Sequence, residues 1–171
     1  MNMSAKLIVF LVYELGRVDE IGKLGHMLYI LSHLGAIPQA ATSEMSFDCQ
    51  GCLGMTWQGI HEVVRSAQDS EGVGLSHAHN WTYRPGERGR EIADEFASLL
   101  DRKETVRLAA LLNGYEGDIL ETAAIKIHIR GLDATEGQEV LDELDATEEE
   151  IDRAERLIRI LGLDKNWVTA P

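Results

Sequence analysis

Residues 75–84 read "LSHAHNWTYR", and the fold turns on how they are understood. His77, His79, Trp81 and Tyr83 share one parity, as a strand or hairpin requires, because alternate side chains leave a strand on the same face. Asn80 suits a turn between two short strands. Just upstream, Trp57, Ile60, Val64 and Ala67 recur at helical spacing and predict a helix over 55–70. Before that, Ile21, Leu24, Leu28, Leu31 and Leu34, with Met27 beside them, predict another helix. Gly35 stands where a helix C-terminus favours glycine. Residues 5–15 are one apolar run, read as a buried first helix. Three helices followed by a hairpin is the order of a winged helix, in which the third helix can enter a DNA groove and the hairpin flanks it.

Downstream the helical reading continues. Pro85 suits the first position of a helix whose apolar face would be Ile92, Phe96 and Leu99. A further helix is expected over 103–113. The segment "DILETAAIKIHIRG" (118–131) carries both a helix pattern (Leu120, Ala123, Ala124, Ile127) and a strand alternation (Ile125, Ile127, Ile129); helix is the expectation. Two similar stretches, "LDATEGQEV" (132–140) and "LDATEEEID" (144–152), place Thr135 before Gln138 and Thr147 before Glu150. That is capping-box spacing, so each is expected to open a helix. The fold class expected is mainly α (α+β). A winged helix-turn-helix core at 1–101 carries a small β-hairpin wing, and an acidic helical extension at 102–171 packs on it.

The chain has 171 residues, 44% hydrophobic and 26% charged, which fits an ordinary globular domain. Its net charge of −13 opposes nonspecific adhesion to nucleic acid or anionic membrane. The acidity is concentrated in residues 109–171, with six Lys/Arg against fifteen Asp/Glu. Residues 56–108 are nearly balanced and hold "YRPGERGR". The opening run "KLIVFLVYELG" is too short for a membrane span of about 20 residues and lacks signal-peptide features. A cytoplasmic protein without membrane contact is expected, and two cysteines there do not suggest a structural disulfide.

Several stretches resemble an uncharacterised winged-helix family of bacteria and archaea. "LVYELGRVDEIGKLGHMLYILSHLG" (11–35) resembles its opening turn and leucine-rich helix. "WTYRPGERGREIADEF" (81–96) resembles its tyrosine, turn, glycine and amphipathic helix. "ILETAAIKIHIRGL" (119–132) and "EEEIDRAERLIRILGL" (148–163) resemble its C-terminal helices. The pattern is more distantly similar to the Panacea antitoxin domain. Two stretches depart from the family: only Lys23 follows the "GR" turn where basic residues are common, and "FDCQGCLGMTW" (47–57) replaces a tyrosine-glycine-proline segment. The resemblance implies a non-catalytic regulatory or antitoxin-like role and favours helix for "AIKIHIRG" (124–131).

The only cysteines form "CQGC" at 49–52. Cys49 and Cys52 with His77 and His79 could supply four donors to a tetrahedral zinc ion, although the separation of the pairs matches no common finger spacing. A redox pair would need a strand–helix–strand context that is missing here. A plain turn is the third reading. "HEVVR" (61–65) begins like H-E-x-x-H but has Arg65 where the second histidine belongs. No phosphate loop, dinucleotide fingerprint or nucleophile elbow occurs, so a non-enzyme without a cofactor is expected, zinc being the alternative. The DNA-contact candidates are Gln58, His61 and Arg65 on the third helix, and Arg84, Arg88 and Arg90 at the wing's exit. The expected partners are DNA, a second copy of the chain, or a basic protein met by the acidic surface.

Overall fold

The computed structural model describes residues 1–43, 45–49, 55–69, 75–78, 82–132, 134–142 and 144–164. Among them the chain is mainly helical. Helix α1 (Met3–Leu15) opens on Asn2, whose side-chain oxygen accepts the Ala5 amide at 2.8 Å. It closes at Gly16, whose φ of 75° is a backbone geometry glycine adopts without a Cβ clash. Strand β1 (Val18–Asp19) leads directly into α2 (Ile21–His33), and Gly35 (φ 65°) follows α2 in the expected place. Both helices follow the sequence reading.

The next segment does not. Pro38 precedes a short 3-10 helix, Gln39–Thr42, and then β2 (Ser46–Cys49) pairs antiparallel with β3 (Met55–Gln58), so that Cys49 stands opposite Met55. The helix expected over 55–70 begins only at Ile60: α3 is Ile60–Asp69. Residues 55–58 are a strand because β2 offers them backbone partners from outside the local window, and Met55, Thr56 and Trp57 suit a sheet as well as a helix. Gly59, at φ 85°, makes the break between strand and helix.

The expected hairpin is present as β4 (Leu75–Ala78) and β5 (Thr82–Pro85), antiparallel. It is part of a three-stranded sheet in the order β1-β5-β4. Pro85 ends β5 instead of opening a helix; α4 runs from Gly89 to Ala97. Ile92 and Phe96 are buried as expected, but Leu99 lies beyond the helix end and is 51% exposed.

Helices α5 (Arg102–Asn113), α6 (Gly117–Ile129), α7 (Ala134–Asp142) and α8 (Glu148–Ile160) complete the chain. The ambiguous segment 118–131 is thus helical over nearly all its length. Thr147 and Glu150 form the anticipated capping box of α8. Thr135 does not play that part for α7, since the helix already includes Ala134, and an N-cap must stand before the first helical residue.

The core is one cluster built on α1 and α6. Leu7 through Val12 are consecutively buried, so α1 is surrounded, as a helix apolar on all sides must be. It packs on α4, α3 and α5. The rings of Phe10 and Phe96 meet at 5.6 Å in a tilted arrangement. Helix α6 is buried between α2 and α8 through Leu120, Ala123, Ala124 and Ile127. The cluster therefore runs continuously across residue 101, and the Thr105 hydroxyl donates to the Ala36 carbonyl at 2.7 Å across the same line.

Candidate nucleic-acid interface

Helix α3 is amphipathic. Ile60, Val63, Val64 and Ala67 are buried, largely against α1, which turns His61, Glu62 and Arg65 outward to solvent. The β4–β5 hairpin is held to the same scaffold by β1. Val18 pairs with Tyr83, Asp19 pairs with Thr82, and the Thr82 hydroxyl donates to the Asp19 carboxylate at 2.9 Å. Tyr83 is buried, and desolvation raises its phenol pKa; its neighbour Arg84 is exposed, as alternation along a strand dictates.

The proposed DNA contacts fall into three groups. His61 and Arg65 share the outer face of α3. Gln58 is not on that helix; it is the last residue of β3, paired with Ser46. Arg84, Arg88 and Arg90 follow one another from β5 to the start of α4. Arg88 is gripped by Glu91 through two hydrogen bonds of 2.7 and 2.6 Å. Those bonds raise the Arg88 pKa and hold the Glu91 carboxyl below its ordinary range. Arg90 lies 3.7 Å from Asp94, which also accepts from Arg102 at 2.9 Å. Arg84 makes no ion pair among the described residues. Exposed pairs of this kind contribute little and are readily exchanged, so a phosphate could displace either carboxylate.

Only two of the four metal candidates are among the described residues. Cys49 closes β2 and His77 lies in β4, strands of two different sheets, while Cys52 and His79 lie outside the described residues. Among the described residues no group of three or more His, Cys, Asp or Glu could hold a metal ion. Cys49 is the last residue of β2, opposite Met55 of β3, and residues 50–54, on which the turn reading falls, lie outside the described residues.

Of the remaining described histidines, His26 is buried, His128 is half-buried and His33 is exposed. His26 is 6% exposed, its Nδ1 has no hydrogen-bond partner, and burial depresses its pKa to about 4. The Tyr29 hydroxyl lies 3.3 Å from Nδ1 of His128, and the Tyr29 and His33 rings are 4.2 Å apart. The Tyr29–His128 contact ties α2 to α6.

Two features escaped the sequence reading. One is a cleft of about 460 Å³ between the turn after α2, the α4–α5 junction and the end of α8. Its lining includes Leu99 and Ile160, which are 51% and 57% exposed. The other is the division of charge along α8, hidden when the tail is counted only as acidic. No helix among the described residues is long and apolar enough to cross a membrane. No protein-family model, curated protein or solved structure matches the chain.

Proposed function

We propose that the chain is a non-enzymatic winged-helix regulator that associates with DNA through α3 and the β4–β5 wing. The observation that carries this reading is β1. Two residues between α1 and α2 pair with β5 and give the order β1-β5-β4, which fastens a hairpin to the helical core on a scaffold shared with α3. A helix with an exposed Arg65 and a wing with an exposed Arg84 then have fixed relative positions, which phosphate recognition requires before any base is read.

The segment 34–59, with its own β2–β3 hairpin, replaces the turn of three or four residues that joins the helices of a compact helix-turn-helix. DNA contact is therefore assigned to α3 and the wing, not to an α2–α3 unit. Fluorescence anisotropy with a mixed-sequence duplex at low salt tests the proposal. Nonspecific binding at or below about 100 μM is expected; no binding at that level would overturn it.

A second reading is an antitoxin-like or adaptor module whose acidic surface meets a basic protein. It is favoured by Glu139, Asp142, Asp145, Glu148, Glu149 and Asp152, all exposed around the α7–α8 connection. Failure of duplex binding together with stoichiometric, salt-sensitive co-purification of a basic protein would select it.

A further inference from the structure

Helix α8 lays Ala154, Leu157 and Ile158 against α6 and, among the described residues, leaves its opposite side exposed. At 3.6 residues per turn, Glu148, Glu149, Asp152, Arg156, Arg159 and Ile160 all point within about 60° of the direction opposite Ala154. All six are exposed. Along this outward face the charge is separated: three acids occupy the first half and two arginines the second. Among the described residues none of these five charged side chains forms an ion pair or hydrogen bond with another side chain. The side chains interleaved with them at the flanks are already engaged, Arg153 with Glu116 at 2.6 Å and Glu155 with Lys126 at 2.9 Å.

Four of these five charges are symmetrically spaced. Asp152 and Arg156 lie two positions either side of Ala154, and Glu149 and Arg159 lie five positions either side. When two copies of a helix meet antiparallel across a two-fold axis, positions equidistant from the crossing point face each other. We infer that the outward face of α8 is an isologous docking surface whose occupant is a second copy of this chain, crossing at the level of Ala154. Asp152 of each copy then faces Arg156 of its partner, and Glu149 faces Arg159, giving four intermolecular pairs from two unique ones. Ile160 comes opposite the methylenes of Glu148 at each end and adds apolar contact to a surface steered by charge.

A chain of net charge −13 repels its own copies in general, so a self-complementary face is the place where association is least opposed. Acids near a helix N-terminus and bases near its C-terminus also stabilise an isolated helix, and that simpler role involves no second copy. Sedimentation velocity of the full chain separates the two. At low ionic strength a reversible dimer is expected, dissociating as salt is raised.

Asp152→Arg and Arg156→Asp each bring like charges together and should raise the dissociation constant about tenfold or more. The double variant restores opposite charges in the same two positions and should recover dimerisation, with circular dichroism verifying that all variants are folded. A wild-type chain that stays monomeric up to ~100 μM, a concentration where even weak specific contacts register, would overturn the inference. So would a dimer indifferent to the single exchanges, or one that the double exchange fails to rescue.

Discussion

Tyr83 of β5 stands directly opposite Val18 of β1, and both side chains are buried, at 5% and 0% exposure. This pair joins the corner between α1 and α2 to the β4–β5 hairpin. Tyr83 also faces His77 in the register of β4, so it occupies the middle strand of the three. Replacing it removes contact with the core and loosens the hairpin in a single step.

Tyr83→Ala is expected to lower the unfolding free energy by about 3 kcal/mol, in the range found for large aromatic side chains cut to alanine. Urea denaturation monitored by circular dichroism measures this. A loss below about 1 kcal/mol would mean that the ring is not part of the core.

His26 makes stability depend on pH. Its folded pKa of about 4 lies below the ordinary 6.5, so between those values the unfolded chain binds more protons than the folded one. The stabilisation is complete above pH 6.5 and is lost as pH falls towards 4, amounting to about 3 kcal/mol. His26→Leu should flatten this part of the stability profile. Because Nδ1 has no hydrogen bond to lose, the variant should be at least as stable as the parent at pH 7. Denaturant melts at half-unit pH steps check both outcomes; an unchanged slope would show that His26 is not the titrating group.

The capping box gives a local test. The Glu150 amide donates to the Thr147 hydroxyl oxygen at 3.3 Å, and the Thr147 amide donates to the Glu150 carboxylate at 2.6 Å. Thr147→Ala should cost about 1 kcal/mol and speed amide exchange in the first turn of α8. Exchange rates in α1 should stay as they are, since that helix lies in the centre of the core.

Much of the helical architecture was legible because periodicity reports a helix with one buried side, as in α8, and capping residues mark where a chain must enter a helix, as at Thr147. Helix α6 was ambiguous for a physical reason. It is buried around most of its circumference, so Ile125, Ile127 and Ile129 could mimic strand alternation within a helix. The error at 55–58 has a different origin. Trp57 and Ile60 are three apart, which satisfies a helical template, but β2 supplies a pairing that no local window contains. The two residues of β1 were invisible for the same reason, although they fasten the wing. Arg84, Arg88 and Arg90 could be picked out by type; that Glu91 and Asp94 neutralise two of them depended on their placement at the start of α4.

The charge arrangement between β5 and α4 therefore makes Arg84 the most sensitive of these three positions for DNA binding. Arg88→Ala and Arg90→Ala should weaken binding less, because each also releases a carboxylate from an existing pair. Ranking the three alanine variants by anisotropy titration at fixed salt checks the order. A dominant loss at Arg88 or Arg90 would place the contact on α4 instead.

The most direct measurement is the salt dependence of duplex binding by the wild-type chain and by the Arg65→Ala/Arg84→Ala double variant. If α3 and the wing lie on the phosphate backbone, the wild type should bind with a negative slope of log affinity against log salt. The double variant should lose up to about 1.8 from the magnitude of that slope, about 0.9 for each phosphate contact removed. A wild-type chain that binds no duplex at low salt, or a double variant with the same slope and affinity, would contradict the account.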